Sequence, residues 1–193
     1  ATRTAIPTPI PSPPLAVHAC AKKGKRCIVA THLLESMIDN PIPTRAEVTD
    51  VANAIYEGVD SVMLSGETSV GSYPQRCVEQ LSNIADRTER FPGLGYEKSL
   101  EVDNDKQHVA IHAVALAEAV KADGIIVITR RGITADYVTS ARPQHVPIFA
   151  FTNDSQTRRR LALNRSLYAN RIAFSNDPEK TLQRAFDVLR KKE

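Results

Sequence analysis

Residues 27–37 read CIVATHLLESM and residues 61–68 read SVMLSGET, and these two stretches decide the fold class. Each begins with a short apolar run rich in β-branched residues and then changes abruptly to Thr, Ser, Gly and Glu. Such a run is typical of a strand that is buried on both faces of a parallel sheet. Polar residues that follow it lie at the carboxyl end of the strand, where binding and catalytic groups are commonly placed. The two stretches therefore predict buried parallel strands whose ends carry a functional site.

Helical patterns separate and follow these strands. Thr44 and Glu47 stand three residues apart, as in a capping box, and the helix that begins there is predicted to end at Gly58. Pro74 opens another helix. A second unit begins near Gln107, and its apolar runs cover residues 124–129, 146–151 and 169–174. Alternating strands and helices predict an α/β protein whose second unit is three-layered, with a mostly parallel sheet between helices.

Composition and charge exclude several classes of protein. The 193 residues are 42% hydrophobic, which is enough for a real core, and the formal net charge is only +3. Residues 120–171 are more basic, with nine Lys or Arg against three acids, but aromatic residues make up only 5% of the chain. This makes nucleic acid the least favoured partner. No apolar run approaches the length of a membrane span, so no membrane partner is expected.

The cysteines form neither an even disulfide framework nor a CxxC metal pattern, and they stand at Cys20, Cys27 and Cys77. This pattern favours a reducing compartment and a cytoplasmic location.

The first 14 residues hold five of the twelve prolines and are predicted to form an extended tail. A Pro-rich ligand for a partner domain is an alternative, although no basic residue flanks a PxxP core.

Three blocks in order, CIVATHLLESM, PIPTRAE at residues 41–47 and SVMLSGETSVGSYP at residues 61–74, resemble the end of the catalytic barrel of pyruvate kinases. The resemblance implies that residues 15–90 are the last two βα units of a TIM barrel. Residues 91–106 are then a linker, and residues 107–193 most of an α/β regulatory domain. It also implies an enzyme of glycolysis that transfers the phosphoryl group of phosphoenolpyruvate to ADP, with magnesium and potassium as cofactors, in a homo-oligomer.

Carried over to this sequence, the resemblance makes Thr31 the residue that assists protonation of the enolate. It places Ser65, Gly66, Glu67 and Thr68 in the loop that closes the pocket on the nucleotide side. His32 stands where many relatives have Gln, and Val70 where animal relatives have Lys. Arg45 and Glu47 are as readily structural as functional. Because the metal-binding and Lys/Arg residues of the family lie on earlier strands, this chain alone is predicted to bind neither metal and to be inactive.

The segment from Thr129 to Thr134, TRRGIT, follows a strand and opens a helix, which is a favourable position for binding an anion. Thr129, Arg130, Arg131, Gly132 and Thr134 are the candidate ligands for an effector phosphate, because the family has a similar loop that holds a sugar phosphate. A simple strand-to-helix turn with solvated arginines is the alternative, and a noncatalytic phosphate-binding module is the alternative function. The run Arg158–Arg160 is interpreted as a solvated helix face. His108 and His112 share a helix face but lack a third metal ligand.

Overall fold

The computed structural model describes residues 13–30 and 32–191, which form helices and parallel strands in alternation. The helices are α1 (Pro13–Lys22), α2 (Arg45–Tyr56), α3 (Gly66–Ser69), α4 (Pro74–Thr88), α5 (Asp105–Ala119), α6 (Ile133–Ser140), α7 (Ser155–Leu161) and α8 (Pro178–Arg190). The strands are β1 (Ile28–Ala30), β2 (Ser61–Met63), β3 (Ile125–Ile128), β4 (Ile148–Thr152) and β5 (Leu167–Arg171). Two short 3-10 helices cover Glu35–Ile38 and Tyr96–Ser99.

The first two strands pair in parallel, with Ile28 opposite Ser61 and Ala30 opposite Met63. A parallel pair requires a crossover, which α2 supplies, and α2 packs on α4. The core between these helices and strands contains buried Leu33, Leu34, Met37, Val51, Ile55, Cys77 and Ile84. The polar residues that follow β1 and β2 therefore lie at the same edge of the pair, as the sequence predicts.

The second unit has one parallel sheet of described strands in the order β3-β4-β5. One face of the sheet packs on α5, α6 and α7 through a cluster that includes Val114, Val138 and Leu161. The other face packs on α8, where Phe151 and Ala185 are fully buried. Helices on both faces of a parallel sheet make a three-layer unit, so the predicted fold class is confirmed.

Element boundaries differ from the sequence prediction at two places. The last strand spans Leu167–Arg171 rather than residues 169–174, because Arg171 pairs with Thr152, the last residue of β4. The first helix begins at Pro13, within the stretch predicted to be extended, since proline is tolerated in the first turn of a helix. The rest of the Pro-rich tail, residues 1–12, lies outside the described residues.

The segment between α4 and α5 packs against the first unit. The Leu94 amide donates to the Tyr56 carbonyl at 3.2 Å, and the Glu101 amide donates to the Lys22 carbonyl at 2.8 Å. The Glu101 carboxylate also pairs with the ammonium groups of Lys22 and Lys23 at the end of α1. These contacts fix where the second unit begins relative to the first.

Candidate active-site edge and anion loop

The ends of β1 and β2 form the first candidate site. Thr31 directly follows β1 and lies outside the described residues, but its neighbour Ala30 is paired with Met63 of β2. Two residues beyond Met63, Ser65 begins the loop that the sequence analysis assigned to the nucleotide side. The parallel register thus brings the strand end that carries Thr31 beside the strand end that carries Ser65–Thr68.

Glu67 connects the two strand ends through hydrogen bonds from the backbone. Its Oε1 atom accepts from the Leu34 amide, beyond β1, at 3.1 Å, and its Oε2 atom accepts from the Ser65 amide, beyond β2, at 2.8 Å. The residue is only 3% exposed. Burial opposes ionisation of this carboxyl, but the backbone amides of Glu67, Ser65 and Leu34 outweigh it and hold the pKa below its usual range. Glu67 is therefore an ionised structural tie between two loops.

The rest of this loop is a single helical turn, α3, whose side chains differ in exposure. Ser65 and Thr68 are exposed, and the Thr68 hydroxyl donates to the Ser65 carbonyl at 3.4 Å. A Cβ atom on Gly66 would lie 3.1 Å from the Ile38 side chain, so glycine allows the turn to approach the loop after β1. Val70 is 78% exposed. Hydroxyl groups are thus presented at the edge, while Glu67 points inward.

Glu47 holds the loop after β1. Together with Thr44 it forms the predicted capping box of α2. It also accepts from the Ser36 amide at 2.7 Å and from the Ser36 hydroxyl at 2.5 Å. Burial opposes its ionisation, but the donors on Ser36 and Thr44 hold its pKa below the usual range. Glu47 is structural, and the sequence analysis missed its contact with Ser36, for which no local spacing rule exists.

His32 lies next to this edge in a left-handed backbone conformation, with φ of 50°. Its Nδ1 atom lies 2.8 Å from Glu35 Oε2, and both side chains are more than half exposed. A positive φ at a residue other than glycine is uncommon, and it turns the chain sharply from β1 into the loop that Glu47 and Glu67 hold.

The loop after β3 is the second candidate site, and only part of it faces solvent. Thr129 is buried and its hydroxyl accepts from the Gly132 amide at 3.0 Å, while Gly132 has φ of 82°. Both residues therefore shape the turn. Arg130, Arg131 and Thr134 are exposed and remain accessible to an anion.

Arg160 supports this loop from α7. Its Nη2 atom donates to the Arg131 carbonyl at 2.6 Å and its Nη1 atom donates to Asp136 Oδ2 at 2.9 Å. Residues 158–160 are exposed, as the sequence predicts, but the Arg160 side chain also bonds the neighbouring loop, which the sequence did not predict. A run of three arginines on one helix does not reveal which of them points toward a neighbouring loop.

Three ion pairs among the described residues join the first unit to the second, and one of them links Arg165 Nη2 to Glu89 Oε1 at 3.7 Å. Arg142 Nη2 lies 2.9 Å from Asp60 Oδ2, and both side chains are at least nine-tenths buried. Arg26 Nη2 lies 3.4 Å from Asp136 Oδ1. The sequence predicted the basic character of residues 120–171 but not these partners, because each pair joins residues that are far apart in the chain.

Within residues 13–30 and 32–191, no group of three or more His, Cys, Asp or Glu side chains could hold a metal ion. Both carboxylate oxygens of Glu67 accept from backbone amides, so Glu67 is not a free ligand for magnesium. His112 Nδ1 lies 2.8 Å from the His108 carbonyl oxygen. The helices of the described chain include none that is both long enough and apolar enough to cross a membrane.

The chain is similar to known proteins in both of its units. Two family models match: the pyruvate kinase barrel domain over residues 14–78, and the pyruvate kinase alpha/beta domain over residues 107–193. The chain belongs to the pyruvate kinase family. The resemblance inferred from the three sequence blocks is therefore confirmed.

Among curated relatives, pyruvate kinase isozyme G, chloroplastic, of Nicotiana tabacum is 40% identical over 177 residues, covering 90% of this chain and 31% of its own length. A pyruvate kinase of Agrobacterium vitis is 43% identical over 153 residues, covering 76% of this chain and 32% of its own. A crystal structure of a pyruvate kinase from Cryptosporidium parvum superposes with a TM-score of 0.87 at 32% identity, over 93% of this chain and 37% of that one. The chain thus spans about a third of the length of these pyruvate kinases.

Proposed function

We propose that this chain works as part of a pyruvate kinase, which transfers the phosphoryl group of phosphoenolpyruvate to ADP and gives pyruvate and ATP in glycolysis. The observation that carries the proposal is the tie made by Glu67. It joins the loop after β1, which begins with Thr31, to the loop that contains Ser65 and Thr68. A proton donor and nucleotide-side hydroxyl groups must be held in a fixed relation for this reaction, and the tie provides that relation.

The described residues divide between positioning and contact with substrate. Glu67 is a positioning residue, since both of its oxygens are occupied and its lowered pKa keeps it ionised near neutral pH. In our proposal Thr31 assists protonation of the enolate, and Ser65 and Thr68 lie on the nucleotide side. Magnesium and potassium would supply the positive charge that phosphoryl transfer requires. The described residues include no group of three or more His, Cys, Asp or Glu side chains that could hold a metal ion, and in our proposal the metal ligands lie on other barrel strands.

A coupled assay with a chimaera tests this function. The matching segment of the tobacco relative is replaced by residues 15–190 of this chain, and pyruvate formation is followed with a dehydrogenase. We expect an active chimaera, in which Thr31→Ala lowers kcat by about 10²-fold or more. The control Thr49→Ala, at an exposed threonine that bonds the Arg45 carbonyl, should retain kcat within about twofold. A folded but inactive chimaera would contradict the proposal.

The purified chain by itself should form no pyruvate with magnesium and potassium present. Its first unit has two parallel strands among the described residues, whereas a closed barrel of this class needs eight. Measurable ATP formation by the chain alone would contradict this part of the proposal.

A noncatalytic role for the loop after β3 is the second candidate. Arg130, Arg131 and Thr134 are exposed next to the amino end of α6, which favours a phosphate or sugar-phosphate effector. Titration calorimetry with sugar bisphosphates should show saturable heat that Arg130→Gln removes, and no heat at millimolar ligand would exclude this role.

We also predict a cytoplasmic, homo-oligomeric enzyme without nucleic-acid or membrane partners. Cell fractionation would check the location, and light scattering would check the oligomeric state.

A further inference from the structure

A cleft lies between the first unit and the α/β unit, at the amino ends of β1 and β2 and away from their carboxyl ends. Its walls come from the turn before β1, the residue before β2, helix α6 and the segments around Arg142 and Asn164. The cleft has a volume of about 490 Å³. A water molecule occupies about 30 Å³ in the liquid, so there is room for a small anion together with several waters.

The cleft carries an excess of positive charge. The charged side chains that line it are Lys25, Arg26, Arg142 and Arg160 on the positive side and Asp60 and Asp136 on the negative side. Four cations against two carboxylates leave a net charge of +2 between two protein walls. Charged groups that line a partly enclosed cleft focus the potential and attract a ligand of opposite sign.

Both carboxylates already accept from donors of the protein itself. Asp60 Oδ2 accepts from Arg142 Nη2 and from the Cys27 amide, each at 2.9 Å. Asp136 accepts from Arg26, from Arg160 at 2.9 Å and from the Asn164 amide group at 2.9 Å. Donors in the cleft that bond neither carboxylate are available to an acceptor from outside the protein.

Two such donors are present. Arg142 Nη1 is the buried side-chain nitrogen that has no hydrogen-bond partner within the described part of the chain, and the Arg142 side chain is only 10% exposed. Lys25 is exposed at the mouth of the cleft and makes no ion pair with any described residue. An unsatisfied donor on a buried charged group is costly, so an arrangement that gives Arg142 Nη1 an acceptor is favoured.

We propose that this cleft binds a doubly charged oxyanion of the phosphate class. Its oxygens accept from the Lys25 ammonium and, after a small turn of the guanidinium group, from Arg142 Nη1. Its two negative charges balance the excess of the cleft. Because Lys25 belongs to the first unit and Arg142 to the second, the bound anion joins the two units. This site does not depend on the proposed phosphoryl transfer, and it is separate from the exposed arginines of the loop after β3.

Inorganic phosphate and the full 193-residue chain are sufficient for the test. Calorimetry at about pH 8, with ionic strength held constant by sodium chloride, should show a saturable site that depends on Lys25, and the thermal midpoint should rise with phosphate concentration. Lys25→Gln should raise the dissociation constant for phosphate about tenfold. It removes a direct cationic contact and leaves the ion pairs of Asp60 and Asp136 in place. The matched control is Lys180→Gln, at a lysine that is 72% exposed on α8, and it should change the constant by less than about twofold.

Two further variants separate the outcomes. Arg130→Gln removes an exposed cation of the loop after β3 and should leave unchanged the phosphate binding that depends on Lys25. Lys25→Glu, which reverses the charge at the mouth of the cleft, should abolish the rise in thermal midpoint. The proposal is overturned if no saturable binding is found up to about 20 mM phosphate, where only very weak sites would escape detection. It is equally overturned if Arg130→Gln removes binding that Lys25→Gln retains.

Discussion

Replacing Glu67 by glutamine changes one oxygen of a buried carboxylate into an amide nitrogen. The amide oxygen can still accept from one backbone donor, but the new NH₂ group then faces the other donor. The side chain is 3% exposed and the two bonds are 3.1 Å from Leu34 and 2.8 Å from Ser65, so water cannot take over the lost role. Loss of a charge-assisted bond together with an unsatisfied buried donor costs about 2–4 kcal/mol.

Urea unfolding of the purified chain, followed by circular dichroism at neutral pH, measures this loss. The control is Glu35→Gln, which removes only the exposed partner of His32 and should stay within about 0.5 kcal/mol of the parent. Because the folded pKa of Glu67 is lowered, its stabilising contribution is complete above the unfolded pKa of about 4.3 and is lost as the pH falls through the folded value. The difference between parent and Glu67→Gln should therefore shrink in acid. A variant as stable as the Glu35→Gln control at neutral pH would refute the role of Glu67 as a tie.

Asp60→Asn should destabilise the chain by about 3–5 kcal/mol in thermal unfolding, because Arg142 would stay buried without a counter-charge. The control Asp50→Asn, at an exposed position of α2, should have little effect. Thr44→Ala should cost about 1 kcal/mol in the same experiment, since it removes the N-cap of α2, and an unchanged midpoint would contradict the capping box. Burial and the neighbouring Cys20 thiol raise the pKa of Cys27 to about 11. Cys27 should thus react with a thiol reagent at pH 8 about 10²-fold more slowly than glutathione, as mass spectrometry of the labelled peptides would show.

Much of the fold could be predicted from local patterns. The apolar runs ending at Ala30 and Met63 predicted two parallel strands, and the pairing of Thr44 with Glu47 predicted the start of α2. These features depend on neighbouring residues, and so the sequence order reveals them. The carboxyl edge of β1 and β2 was likewise predictable, because parallel strands deliver their ends to one side.

The contacts that shape the sites were not predictable in the same way. Glu67 was placed in a nucleotide-side loop, but its carboxylate turns inward to an amide 33 positions earlier. Arg160 turns toward the Arg131 carbonyl, and Arg142 pairs with Asp60 from the other unit. Each contact depends on how two separate segments pack, and no periodicity in either segment records its partner.

Asp136 is shared by three residues from two parts of the chain: Arg26 before β1, and Arg160 and Asn164 at the end of α7. Arg160 in turn supports the carbonyl of Arg131. A substitution at any one of these positions alters what the others can bind, so their effects should be non-additive. Among diverging relatives, positions 26, 136 and 160 should therefore change together, and an exchange of one alone should be tolerated only where another has already been replaced.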